Sequence, residues 1–278
     1  MDKLSEAPKT ITVLKTENIS KEVPKHDFET EIIKLPSKGI LYSKESGLSD
    51  GTVEMRYMTA ADEDILLSKS LVTQGIAIDR LLRALIVSKI NYDSLLIGDR
   101  NALTFSARIM GYGKDYNYAV KCGNCGHKNN TSIDLTKLPY KELNFDLFKK
   151  GNNSFEFKLP YSEKEIVFKL LTQADSEMIS TEIKKLKQFT KNDTYSVDPI
   201  ITTRLIYSIV SIDGKIDKGA IRSYVKNEMR AGDSRALRTY MNKVTPDLDY
   251  SVDTTCTECG TTNEVELVPD VEFFWPET

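Results

Sequence analysis

Gly98-Asp99-Arg100-Asn101-Ala102-Leu103 and Gly232-Asp233-Ser234-Arg235-Ala236-Leu237 each open a stretch that reaches a Cys-x-x-Cys-Gly turn 24 residues after the glycine. The turns are Cys122-Gly123-Asn124-Cys125-Gly126 and Cys256-Thr257-Glu258-Cys259-Gly260. Laid over one another without gaps, at an offset of 134, residues 98–126 agree with the later stretch at nine of 29 positions, Asp115 with Asp249 and Tyr116 with Tyr250 among them. Ordinary composition gives roughly two such matches.

The correspondence extends outward. Ile33-Lys34-Leu35-Pro36 is echoed by Phe157-Lys158-Leu159-Pro160, and Arg80-Leu81-Leu82 by Arg204-Leu205-Ile206. The alternating strand Val53–Met58 runs into Thr59-Ala60-Ala61-Asp62, as Ile166–Leu171 runs into Thr172-Gln173-Ala174-Asp175. In both places a Thr caps a helix and acidic residues sit at its positive end. Further helices are expected from about Ala77 to Ser88 and from near Asp99 to Gly111-Tyr112-Gly113. The fold class expected is α+β, a tandem duplication of one strand–helices–zinc-turn module over residues 29–145 and 150–278. The competing reading is two unrelated helical segments that each precede a Cys-x-x-Cys. Residues 1–28 are polar, without a sustained apolar period, and read as a flexible or partner-ordered arm.

Composition narrows the function. A chain of 278 residues with 40% hydrophobic content can build a real core. Its 38 basic and 41 acidic residues leave a formal charge of −3, so no net field draws a phosphate backbone or anionic lipid. No apolar run approaches a membrane span and Met1-Asp2-Lys3-Leu4 lacks an apolar signal core, so the product is expected in the cytosol where it is made. In that reducing compartment the four cysteines point to metal ligation rather than disulfides.

All four fall in the two turns. A Cys-x-x-Cys turn aims two sulfurs at one point, and two turns complete a closed tetrahedral four-sulfur site for structural Zn2+, here shared between modules in the manner of a zinc ribbon. Such a site could contribute on the order of 10 kcal/mol to folding at neutral pH. His127 is a further ligand in principle. A thiol redox pair would instead place its first Cys at a helix N-terminus after a strand. A zinc-ribbon nucleic-acid binder would want basic residues at the turns, where Lys121 and Lys128 are opposed by Glu258 and Glu264.

Catalysis finds little to stand on. There are two histidines, His26 in the expected arm and His127 beside a cysteine turn. No Ser-His-Asp set or histidine-based metal site can be assembled from them. Gly111-Tyr112-Gly113 lacks the Lys-Ser/Thr of a phosphate loop. No enzyme is expected.

Leu35-Pro36-Ser37-Lys38-Gly39 with Tyr42, Val53–Leu66, Gly98–Ala102, the segment from Gly111 to Cys125, and the terminal Phe273-Phe274-Trp275-Pro276 together carry a likeness. By these residues, most of them in the first half, the chain resembles the baseplate hub subunit and hub-assembly family of T-even-like contractile-tailed phages. The resemblance implies a non-catalytic structural or assembly role in the hub, with other phage tail and baseplate proteins as partners. It implies a location in the host cytoplasm during assembly and in the virion tail baseplate. The tail Phe273, Phe274 and Trp275 has two expected fates: folding back on its own module, or docking into another hub protein as an aromatic anchor.

Overall fold

A computed structural model of the protein describes residues 28–189 and 198–275. The expected N-terminal arm falls outside these residues except for Phe28, as does Pro276. The architecture is mixed α+β, with eight α-helices and small antiparallel sheets among the described residues.

In the first half, β1 (Thr30–Lys34) pairs antiparallel with β2 (Thr52–Arg56), Ile33 opposite Val53. Strand β2 alternates: Val53 and Met55 are buried while Glu54 and Arg56 turn outward. Arg56 then reaches forward over the chain reversal to Asp62 in the first turn of α1 (Ala60–Leu67), its two terminal nitrogens each donating at 2.7 Å. The same carboxylate accepts from the Thr59 amide and hydroxyl at 2.9 Å. These bonds, the Arg56 one first, hold Asp62 down at about 2. Thr59 and Asp62 thus form a reciprocal capping box, the Asp62 carboxylate accepting from the Thr59 amide and the Thr59 side chain accepting from the Asp62 amide. Short α2 (Lys69–Gln74) leads to α3 (Ala77–Leu85), whose Leu81, Leu82 and Leu85 are fully buried. Next, α4 (Ile97–Tyr112) runs through the middle of the molecule and buries residues on nearly every side. The hairpin β3 (Asp115–Lys121) and β4 (Lys128–Asp134) follows.

The second half has β5 (Phe155–Lys158) paired with β6 (Glu165–Phe168), Phe157 opposite Ile166. Helix α5 (Gln173–Phe189) starts at Thr172, whose amide and hydroxyl donate to Asp175 at 3.0 and 2.9 Å. Lys169 pairs with Asp175 at 2.7 Å, in the place that Arg56 holds beside Asp62. Helix α6 (Ile200–Ser208) runs directly into β7 (Ile209–Ile212), the third strand of that sheet. Then come α7 (Lys218–Asn227), α8 (Ala231–Val244) and the hairpin β8 (Ser251–Thr255) and β9 (Thr262–Glu266).

A buried carboxylate organises the start of each long helix. Asp99, without exposed surface, accepts from the Ser37 amide at 2.9 Å and from the Tyr42 hydroxyl. Asp233, also fully buried, accepts from the amides of Tyr161 and Ser162 at 2.8 and 3.2 Å. Ser37 and Tyr161 each stand third in a Leu-Pro-x turn. One of the sequence matches shifts by a residue. The amide closing α3 bonds Ile86 to Leu82 and that closing α6 bonds Ile209 to Leu205, so Leu205 stands with Leu82 and not with Leu81.

The halves share one hydrophobic core, containing Leu81 and Phe105 from the first and Phe168 and Leu237 from the second. Backbone bonds cross the seam. Ile97 N–H donates to Leu171 O at 3.2 Å and Gln173 N–H to Leu95 O at 2.8 Å. The connecting segment around Tyr140 bridges antiparallel to Leu248, with Lys141 N–H on Asp247 O at 3.0 Å and Asp249 N–H on Pro139 O at 2.8 Å. Gly98 lies so close to Pro246 that a Cβ there would sit 1.8 Å from its carbonyl oxygen.

Candidate metal centre

The tips of the two hairpins meet. In β3–β4 the Cys122 amide donates to His127 O at 2.9 Å and the Gly126 amide to Cys122 O at 3.0 Å. In β8–β9 the Cys256 amide donates to Thr261 O at 2.8 Å and the Gly260 amide to Cys256 O at 2.9 Å. Both glycines are left-handed, φ 76° and 72°, a conformation in which a Cβ would be strained and which lets each turn close over its cysteines.

Cys122 and Cys256 are buried, Cys125 and Cys259 exposed, and all four sulfurs lie within 4.8 Å of one another. Cys122 Sγ is 3.6 Å from Cys259 Sγ, and Cys125 Sγ is 3.7 Å from Cys256 Sγ. A tetrahedron of thiolates about 2.3 Å from a zinc ion has edges of about 3.8 Å, so the donor set fits that ion. It leaves no coordination position for water or substrate. Hydrogen bonds aimed at sulfur prepare two of the thiols. The Cys125 and Asn124 amides lower the Cys122 pKa, and the Thr261 hydroxyl and amide draw Cys259 down to about 6. At Cys125 the His127 amide lowers the thiol, but the neighbouring sulfurs, Cys259 foremost, outweigh it and push it up to about 12. A metal ion held by these four cysteines would resolve this crowding by displacing the protons that the sulfurs otherwise share. Both pairs stand on hairpin turns and neither opens a helix. His127 is outside the cluster.

Sequence reasoning missed two residues that lock the hairpins together. The Asn129 side-chain oxygen accepts from the Thr257 amide at 2.9 Å and hydroxyl at 3.0 Å. The Asn263 side-chain oxygen accepts from the Gly123 amide at 3.0 Å. Each hairpin thus lends an amide group to the cysteine turn of the other. The bonds are reciprocal: Asn129 and Asn263 are 134 residues apart, as are Gly123 and Thr257. That offset was the available signal. Tyr118 and Thr254 add a hydroxyl–hydroxyl contact at 2.9 Å across the same junction.

The sequence profile of the family described as T4 bacteriophage base plate protein matches residues 25–275. The chain belongs to this family. No curated protein and no solved structure is significantly similar to it.

In this base plate protein the aromatic tail lies folded back against its own chain. Phe273 and Phe274 are buried, with Phe273 packed on Phe105 and Tyr116 at ring-centroid distances of 4.6 and 5.0 Å. Arg108 of α4, itself buried, donates to Phe273 O at 3.2 Å. Trp275 is half-buried, its ring 6.0 Å from that of Tyr112. These apolar rings already have partners in their own chain, so docking of Phe273 and Phe274 elsewhere would open the core. No described helix of the base plate protein is long and apolar enough to cross a membrane.

Proposed function

We propose that this base plate protein is a structural or assembly component of the baseplate hub of a contractile-tailed phage. It acts by contact with other tail proteins, without catalysis, in the host cytoplasm during assembly and at the tail baseplate of the virion. One structural Zn2+ is held jointly by Cys122, Cys125, Cys256 and Cys259. The observation that carries this reading is the convergence of four sulfurs from two turns some 130 residues apart on a closed set of zinc dimensions, in a chain of the base plate family. A closed site rigidifies without offering chemistry, which suits a part whose work is to hold a shape among neighbours.

We read the halves as a tandem duplication, residues 29–145 and 150–278. The paired Asp62 and Asp175 caps, the paired Asp99 and Asp233 turns and the reciprocal asparagines support it. The zinc then lies near the pseudo-twofold relation of the copies.

Two measurements test the proposal. Elemental analysis of purified protein should give one zinc per chain, and two or none would overturn the joint site. Mass spectrometry of purified phage and of tail-assembly intermediates should find the chain with hub proteins in at least one of them; its absence from all would overturn the hub assignment.

A further inference from the structure

A groove of about 550 Å³ runs along the seam between the halves, floored by Leu96–Gly98 before and at the start of α4 and walled by α6 and α8. Its rim carries two exposed aliphatic side chains, Ile200 and Ile201, 43% and 48% accessible. Arg204, Arg238 and Lys141 also line the groove. Some arginines of the molecule close on carboxylates, as Arg56 does on Asp62, Arg100 on Asp79 and Arg222 on Glu182, while others do not. Arg204 and Arg238 make no ion pair among the described residues, and Lys141 reaches the amide oxygen of Asn242 at 3.1 Å. The acidic group in the lining, Asp247, is buried and already takes the Leu248 amide. Ser208, also in the lining, is a buried hydroxyl without a hydrogen-bond partner.

Arginines without an ion-pair partner beside exposed aliphatic surface are complementary to an acidic, partly apolar occupant. We infer that this groove receives an acidic segment of another protein, its carboxylates on Arg204 and Arg238 and an aliphatic side chain against Ile200 and Ile201. Guanidinium groups suit this role because each offers a planar fork to a carboxylate. The groove includes residues of both halves, so an occupant would be read only by the assembled chain. The inference rests on the proposed role as a partner-binding baseplate component, and adds the surface and the chemistry of the partner.

The test uses the full chain and a fluorescein-labelled peptide of alternating Glu and Leu, followed by anisotropy, beside the same peptide with Gln for Glu. The acidic peptide should bind at least tenfold more tightly, lose that advantage as salt rises, and lose at least tenfold in Arg204→Glu/Arg238→Glu. Ile201→Ser should weaken both peptides. Equal affinity for the Glu and Gln peptides, or no loss in the double variant, would overturn the inference. So would tighter binding of single-stranded DNA through the same arginines, or occupation of the groove by a second copy, seen as self-association that the double variant abolishes. A double variant that fails to fold is recognised by lost zinc content, and Arg204→Gln/Arg238→Gln then takes its place. Peptide discrimination by a chain absent from tails and their intermediates would sink the hub reading and leave the groove standing; the reverse result would do the opposite.

Discussion

Asp99 sits at the start of the central helix with two donors on it and no exposed surface, and burial lifts its carboxyl to about 6. The folded chain therefore binds more protons than the unfolded one between pH about 4, the ordinary aspartate range, and about 6. Stability is unburdened below that window and falls as pH rises through it, by roughly 3 kcal/mol for a shift of this size. Buried Asp247, also raised by desolvation, acts in the same direction. Asp62, lowered to about 2, acts in the opposite sense: its contribution is present above pH about 4 and lost as acid approaches 2. Urea denaturation at several pH values should show Asp99→Asn losing its disadvantage to wild type as pH rises from 4 to 7; parallel profiles would refute the assignment. At the cysteine junction, Asn129→Ala and Asn263→Ala should each weaken zinc affinity by about 10- to 100-fold, the usual cost of removing an outer support of a metal site. Chelator competition measures it, and the equivalence of their roles requires losses of similar size.

Among the elements, α4 and α8 begin with the same Gly-Asp and yet place their glycines against different neighbours. A Cβ on Gly98 meets the Pro246 backbone at 1.8 Å, whereas one on Gly232 meets the ring of exposed Tyr161 at 2.4 Å. Backbone cannot step aside and an exposed ring can. Gly98→Ala should therefore cost at least about 3 kcal/mol by thermal or chemical denaturation and Gly232→Ala about 1 kcal/mol or less. Equal costs would mean that the seam between halves yields more easily than its contacts suggest. The elements that sequence made visible are those where local signals agree. Val53 and Met55 alternate with polar residues immediately before a Thr cap, and the cysteine turns carry their own spacing. The strand expected over Ile166–Leu171 stops at Phe168, because Lys169 turns to reach Asp175. Strand β7 was hidden because Leu205 to Ile212 is one nearly continuous apolar run, in which helix and strand cannot be told apart by period. Helix α7 buries only Ile221, Tyr224 and Val225, too sparse a stripe to stand out from its lysines, and six-residue α2 buries nothing. Asn129 was overlooked for another reason: a neutral side chain in a polar strand shows itself only through its 134-residue offset to Asn263.

For the molecule as a whole, the tail and the cysteine junction close the chain on itself. Phe273 fills the space between Phe105 and Tyr116 while Arg108 fixes its carbonyl, so Phe273→Ala should cost about 3–5 kcal/mol, the range for a buried aromatic. Denaturation of the isolated protein checks this; unchanged stability together with lost tail assembly would restore the docking role of the ring. The junction also imposes an order in time. Cys259 lies 137 residues after Cys122, so a chain growing from the ribosome carries half a ligand set for as long as the second half takes to be made. A chain stopped before Cys256 should hold zinc at least a thousandfold more weakly than the full one in chelator competition, having two thiolates where four are needed. Under the proposed joint site, zinc loading would wait for both hairpins, and a translation product interrupted before the second would lack a complete ligand set.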